Sequence, residues 1–209
     1  HWGIYSVPAY APHGELTAEK LIKGELGFAE SPYAEWYQNS QRLKDSPTQQ
    51  YHAKTYGADF RYEQFAPLFN EQLPKWNPDS WAELFSNAGA RYVVLVTKHH
   101  DGFLMWNSKH PSPCNANWQA VRDVAGELNQ AVNDKGMKMG FYYSSLLDWS
   151  FTKTPINSLA ELIASSDTSR EYLAYIENHW RELIERYDSW ILWSDIGYPP
   201  GFDLTKLFA

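Results

Sequence analysis

Apolar and polar positions alternate between two rhythms along this chain. Tyr92–Val96 is a run of five apolar residues, short and rich in β-branched side chains. That is the signature of a strand covered on both faces, as in a parallel sheet flanked by helices. The same reading gives strands at His1–Val7 (ended by Pro8), Tyr92–Lys98, Lys138–Ser144 and Ser189–Ser194. Between them the period lengthens to that of an amphipathic helix. Asn77-Pro78 is a helix start, with Trp81, Leu84, Phe85 and Ala88 as the apolar stripe and Gly89 as the stop. A second helix is predicted over Trp118–Lys135, with Val121, Val124, Leu128 and Val132 inward and Gly136 as terminator. A third opens at Thr168-Ser169-Arg170-Glu171, a capping-box pattern, and carries Leu173, Ile176, Trp180, Leu183, Ile184 and Tyr187. A short helix is expected at Leu159–Ile163, and another starts at Phe202. Ala9–Gln72 has weak periodicity and reads as a functional loop region with short helices.

Strand followed by helix, repeated, predicts an α/β fold with a parallel sheet. An open doubly wound sheet and a (β/α)8 barrel both fit. No glycine-rich phosphate loop follows a strand, which weighs against the nucleotide-binding sheet. Polar residues at successive strand ends favour the barrel. Residues 1–209 are then the first four to five βα units, the N-terminal half of a barrel catalytic domain, since a full barrel takes about 250 residues.

Composition narrows the choice. The formal charge of −7 argues against nucleic acid as a partner. No stretch is long and apolar enough to suggest a membrane span. Cys114 is the one cysteine, so no disulfide forms within the chain, which is compatible with either cytoplasm or secretion. Ten tryptophans in a chain 16% aromatic tilt the expectation slightly toward carbohydrate, whose C–H faces stack on indole.

The chemistry is expected at the carboxyl ends of the strands. Thr97-Lys98-His99-His100-Asp101-Gly102 follows the second strand, Tyr142-Tyr143-Ser144 closes the third, and Trp193-Ser194-Asp195 closes the fourth. With side chains alternating, Trp193 and Asp195 share a face, as do Tyr142 and Ser144. His99 and His100 diverge unless the strand distorts. A carboxylate beside an indole suits a nucleophile at an anomeric carbon, and serves equally as a helix cap or ion-pair partner. The His99-His100-Asp101 run invites a metal reading, but its facing is wrong for one, and paired imidazoles suit sugar hydroxyls. Glu35, between aromatics in Tyr33-Ala34-Glu35-Trp36-Tyr37, reads either as a solvated acid beside a buried Trp36 or as a pocket residue.

These motifs, taken together, resemble a known family. His1-Trp2-Gly3-Ile4-Tyr5-Ser6-Val7-Pro8, Glu35-Trp36-Tyr37, Lys98-His99-His100-Asp101-Gly102-Phe103, Tyr142-Tyr143-Ser144 and Leu192-Trp193-Ser194-Asp195 are similar, in order and spacing, to the motifs of α-L-fucosidases of glycoside hydrolase family 29. The resemblance runs from His1 to Leu207. It implies a barrel-like catalytic domain, a fucosylated glycan as substrate, no cofactor and a retaining mechanism. Asp195 is then the nucleophile. His1, Glu35, Trp36, His99, His100, Tyr142 and Trp193 line the fucose pocket, with no metal.

One departure stands out. The arginine and acid/base glutamate carried by the family's later strands have no counterpart here. Glu35 is the remaining acid at a family position; the resemblance implies that it binds substrate, and it is the candidate within the chain for the second catalytic role. Half a barrel also leaves open sheet edges, with Val93, Leu95, Met139, Phe141, Ile191 and Trp193 partly uncovered. A homo-oligomer is therefore expected.

Overall fold

The computed structural model describes residues 1–14 and 16–207. A three-stranded parallel sheet lies at its centre, formed by β1 (Tyr92–Lys98), β2 (Lys138–Tyr143) and β3 (Ile191–Trp193), in the order β1-β2-β3. Tyr92 pairs with Lys138 and Val96 with Tyr142, while Tyr142 pairs with Trp193 on the other side. All three carboxyl ends therefore reach the same rim. Gly140 permits the close approach of β3, because a Cβ there would sit 2.8 Å from the Cβ of Ile191.

Four short helices, α1 (Ala18–Lys23), α2 (Tyr37–Ser40), α3 (Pro47–Thr55) and α4 (Phe65–Gln72), fill the long region before the sheet. Two 3-10 turns, Phe28–Glu30 and Ala34–Trp36, lie between α1 and α2, the second presenting Glu35, and a third, Tyr62–Gln64, precedes α4. Helix α5 (Pro78–Asn87) precedes β1, and the Asn77 side chain caps it by accepting from the Ser80 amide at 3.1 Å. Helix α6 (Val124–Asp134) links β1 to β2. Helices α7 (Leu159–Ala164) and α8 (Arg170–Tyr187) link β2 to β3.

Several predicted elements are corrected. His1–Val7 forms no strand: Ile4–Ser6 is a 3-10 turn, with the amides of Ser6 and Val7 bonded back to Gly3 and Ile4. Ile4 is wholly buried there among aromatic side chains, so burial rather than sheet pairing explains its apolar pattern. Among the described residues the sheet accordingly has three strands, not four. Helix α6 begins at Val124 instead of Trp118. The Asp123 side chain caps it through the Gly126 amide, while Ala120 is tied to Leu104 by a backbone bond of 2.7 Å. Val121 points outward, 61% exposed, and so does Leu84 of the α5 stripe, at 64%. Ser169, not Thr168, caps α8, accepting from the Tyr172 amide. The helix expected from Phe202 is a 3-10 turn at Leu204–Leu207, and its last two positions, 208 and 209, lie outside the described residues.

The main core gathers β1 and β2 with α4, α6 and α8. Leu95, Met139 and Phe141, expected to be partly uncovered, are buried in it. A second core of Phe28, Trp36, Leu147, Trp149, Ile156 and Leu162 lies beneath one wall of the strand-end rim. No helix is long and apolar enough to cross a membrane among the described residues.

Candidate active site

Strand β1 loses its regular register between Val96 and Lys98. Met105 donates its amide to Thr97 O at 2.8 Å, and the Thr97 hydroxyl bonds Tyr142 O at 2.7 Å. This distortion brings the neighbouring rings of His99 and His100 onto one rim, with centroids 4.0 Å apart. Gly102, at φ 76°, turns the chain behind them. A Cβ at that position would meet Asp148 Oδ1 at 2.5 Å, so the turn requires glycine for space as well as for conformation.

Beneath the rim lies an ion pair that sequence reading overlooks. Lys98 Nζ and Asp148 Oδ2 are 2.9 Å apart, and neither side chain is exposed. Lys98 also lies over the Tyr143 ring, 4.7 Å from its centroid. Burial lowers the Lys98 ammonium, against the charge and hydrogen bond of Asp148. Ser150 bonds the other Asp148 oxygen through its amide and its hydroxyl. Asp101 accepts from Tyr62 OH and the Phe103 amide, yet burial raises its carboxyl to about 6.

Above this base the predicted site residues converge. His1 Nδ1 bonds Glu35 Oε1 at 2.8 Å. The hydrogen bond to Glu35 raises the His1 imidazole despite burial. Burial works against the Glu35 charge, but the bond from His1, a backbone hydrogen bond and the His1 charge prevail and hold its carboxyl below the ordinary range. His99 packs 5.6 Å from the His1 ring and stacks nearly parallel on Tyr142 at 5.5 Å. Tyr142 bonds Asp195 Oδ2 through its hydroxyl at 3.3 Å. Asp195 Oδ1 accepts the Ile196 amide at 3.0 Å. The Tyr142 phenol, raised by burial and by Asp195, stays protonated. Trp193 meets Tyr142 edge-on and leaves its indole 51% exposed. On the other side, Trp36 stacks on Phe28 and meets His100 edge-on at 5.3 Å.

Both central histidines are neutral. Burial, followed by the neighbouring His100 imidazole, lowers His99 well below its ordinary value. Burial and Lys98 push His100 down to about 3. The tautomer of His100 follows from its neighbours. Ser144 gives its one hydroxyl proton to Leu147 O, so it must accept from His100 Nδ1–H at 2.7 Å. His100 Nε2 is then a bare acceptor. His99 Nδ1 is buried without a partner among the described residues. The rim thus offers a free acceptor, an unspent imidazole, a carboxylate and an open indole face, the set that recognises a hydroxylated ring with one apolar side.

His1, Glu35 and His99 also place three potential metal-binding atoms within 4.8 Å of one another. The His1–Glu35 contact, at 2.8 Å, is a direct hydrogen bond. Ligand atoms around a tetrahedral zinc, each about 2 Å from the ion, stand roughly 3.3 Å apart. The pair as it stands is too close to hold an ion between its members.

All eight predicted site residues therefore belong to one contiguous group. Asp148, Trp149 and Tyr5 were not foreseen. Trp149 walls the rim behind His100, with rings 5.3 Å apart, and the Tyr5 ring meets His99 edge-on at 5.5 Å. The available signal was the polar-aromatic run Asp148-Trp149-Ser150 directly after β2's polar end.

Comparison with known proteins agrees with this geometry. The α-L-fucosidase family model matches residues 1–202. An α-L-fucosidase of Dictyostelium discoideum is 32% identical over 93% of this chain and 38% of its own length. The structure of a Thermotoga maritima α-fucosidase in complex with fucose superposes with a TM-score of 0.87 at 42% identity, covering 100% of this chain and 46% of that one. A Thermotoga maritima α-L-fucosynthase gives a TM-score of 0.89 at 44% identity, over 100% and 47%. The chain spans less than half the length of these relatives. Its match over nearly every residue, with an α/β fold and a parallel sheet in common, places it in the α-L-fucosidase family, glycoside hydrolase family 29.

Proposed function

We propose that this chain carries the fucose-binding pocket and nucleophile of a retaining α-L-fucosidase, acting on terminal α-linked L-fucose of a glycan. In this reading the three-stranded sheet is part of a (β/α)8 barrel, and residues 1–209 belong to its N-terminal half. The observation that carries the proposal is the bonding of Asp195. One oxygen is held by a backbone amide and the other lies 3.3 Å from a phenol that keeps its proton. A carboxylate fixed in this way is oriented for in-line attack on an anomeric carbon.

The pocket supplies the remainder. His100 Nε2 accepts a sugar hydroxyl, His99 exchanges hydrogen bonds with another, and Glu35 accepts from a third. Trp193 and Trp36 take the apolar face and the C5 methyl. Attack by Asp195 forms a covalent fucosyl ester and expels the aglycone; water then cleaves the ester. A second carboxyl group is needed to protonate the leaving oxygen. Glu35, paired with His1, is charged at neutral pH and serves as acceptor. This favours a second reading, in which the chain alone binds L-fucose with little turnover of poor leaving groups.

Binding of L-fucose by calorimetry and release of phenol from an activated aryl α-L-fucoside separate the two readings. The first predicts both activities. It also predicts loss of turnover in Asp195→Gly, with azide restoring release and leaving β-fucosyl azide. Turnover in Asp195→Gly at the unsubstituted rate would remove Asp195 from the mechanism.

A further inference from the structure

Behind the Trp149 wall lies a second cleft of about 620 Å³, lined, Trp149 apart, by residues that the fucose pocket does not use. Arg42, Arg61 and Lys153 face it from three separate segments: the turn after α2, the approach to α4, and the loop after β2. No hydrogen bond or ion pair engages any of these three cationic head groups among the described residues. Glu63 is the one carboxylate on the wall. It acts on Arg42 through its charge but forms no ion pair with it. The indole of Trp149 is 1% exposed, and its N–H is buried without an acceptor.

We propose that this cleft binds an oxyanion borne on a carbohydrate, either a carboxylate or a sulfate ester. Three unspent cations against one carboxylate favour a negative ligand, and guanidinium groups match planar or tetrahedral oxyanions through paired hydrogen bonds. Trp149 and Trp118 line the cleft but are only 1% and 4% exposed, so the cationic side chains, not the indole faces, would make the contacts. Trp149 also touches His100 and Trp36 of the fucose pocket, at 5.3 and 5.4 Å between ring centroids. One indole therefore separates the two sites, and an acidic residue of the same glycan can occupy the second while fucose fills the first. The proposal rests on the chain being a glycan-binding protein and extends that reading to the acidic character of the glycan.

Cys114 provides a local reporter. It lines the cleft, is exposed, and is the only cysteine in the chain. The test measures alkylation of Cys114 by neutral iodoacetamide, followed by intact mass, at constant ionic strength. Galactose 6-sulfate, N-acetylneuraminic acid and plain galactose are compared, and L-fucose binding is measured in parallel. One or both acidic sugars should slow alkylation several-fold, while galactose should not. Arg42→Gln and, separately, Lys153→Gln at an exposed position should each weaken protection about tenfold, the loss of one charge-assisted hydrogen bond. Both variants should keep wild-type L-fucose affinity. Equal protection by galactose, no protection by either acidic sugar, or undiminished protection in both variants would overturn the proposal. If fucose binds but acidic sugars do not protect, this site fails alone. If acidic sugars protect but fucose does not bind, the fucose reading fails alone.

Discussion

His1 and Glu35 share a hydrogen bond that sets when each carries its charge. His1 is raised by Glu35, so its contribution is complete below its unfolded value and is lost as pH rises through the folded one. Glu35 is lowered, so its contribution is present above its unfolded value and is lost as pH falls through the folded one. The ion pair therefore exists between these two limits. L-Fucose affinity is expected to plateau there and decline on both sides, and Glu35→Gln should abolish the acid limb. The same variant should slow a natural fucoside and a dinitrophenyl fucoside equally, since an ionised Glu35 has no proton to give. Greater slowing of the natural fucoside would make Glu35 the acid. His100→Ala removes the acceptor fixed by Ser144 and should weaken L-fucose binding by about 1–3 kcal/mol, measured by calorimetry. Unchanged affinity would remove His100 from the pocket.

The elements differ in how far the sequence disclosed them. Strands β1 and β2 and helix α8 follow from local pattern because their burial is continuous along one face or on both. His1–Val7 carries a strand-like apolar pattern but lacks a pairing partner among the described residues, and it folds as a turn bonded to itself. The start of α6 was obscured because Trp118–Ala120 is tethered to Leu104, a contact made across a loop. The motifs pointed to eight candidate residues that the fold brings onto one rim. Their support was not legible: Lys98 and Asp148 are 50 positions apart, and no local rhythm links them. This pair anchors the turn that carries both histidines. Asp148→Asn would leave a buried ammonium without its counter-charge and should cost about 3–5 kcal/mol in urea unfolding. A loss below about 1 kcal/mol, the range of exposed pairs, would mean that the pair does not hold the rim.

At the scale of the whole molecule, the sheet has two unpaired edges among the described residues. Beyond Thr97 and Lys98, which Met105 and Leu104 bond, β1 borders an apolar groove of about 420 Å³ formed with Trp2, Trp81 and Phe85. β3 exposes Trp193, and Trp190 beside it is 61% exposed. Open strands beside apolar surface promote association. The chain taken alone is therefore expected to self-associate, with an apparent mass that falls on dilution in sedimentation runs. A monomer throughout the micromolar range would show that these edges are tolerated. The central claim, that Asp195 attacks the fucose held by this rim, is tested most directly by trapping. The chain is incubated with 2-deoxy-2-fluoro-α-L-fucosyl fluoride, whose covalent ester turns over slowly, and the adduct is mapped by peptide mass spectrometry. A single fluorofucosyl group on the peptide containing Asp195, absent in Asp195→Gly, is the predicted result. A label on Glu35, or fluoride release with Asp195 unmodified, would contradict the account.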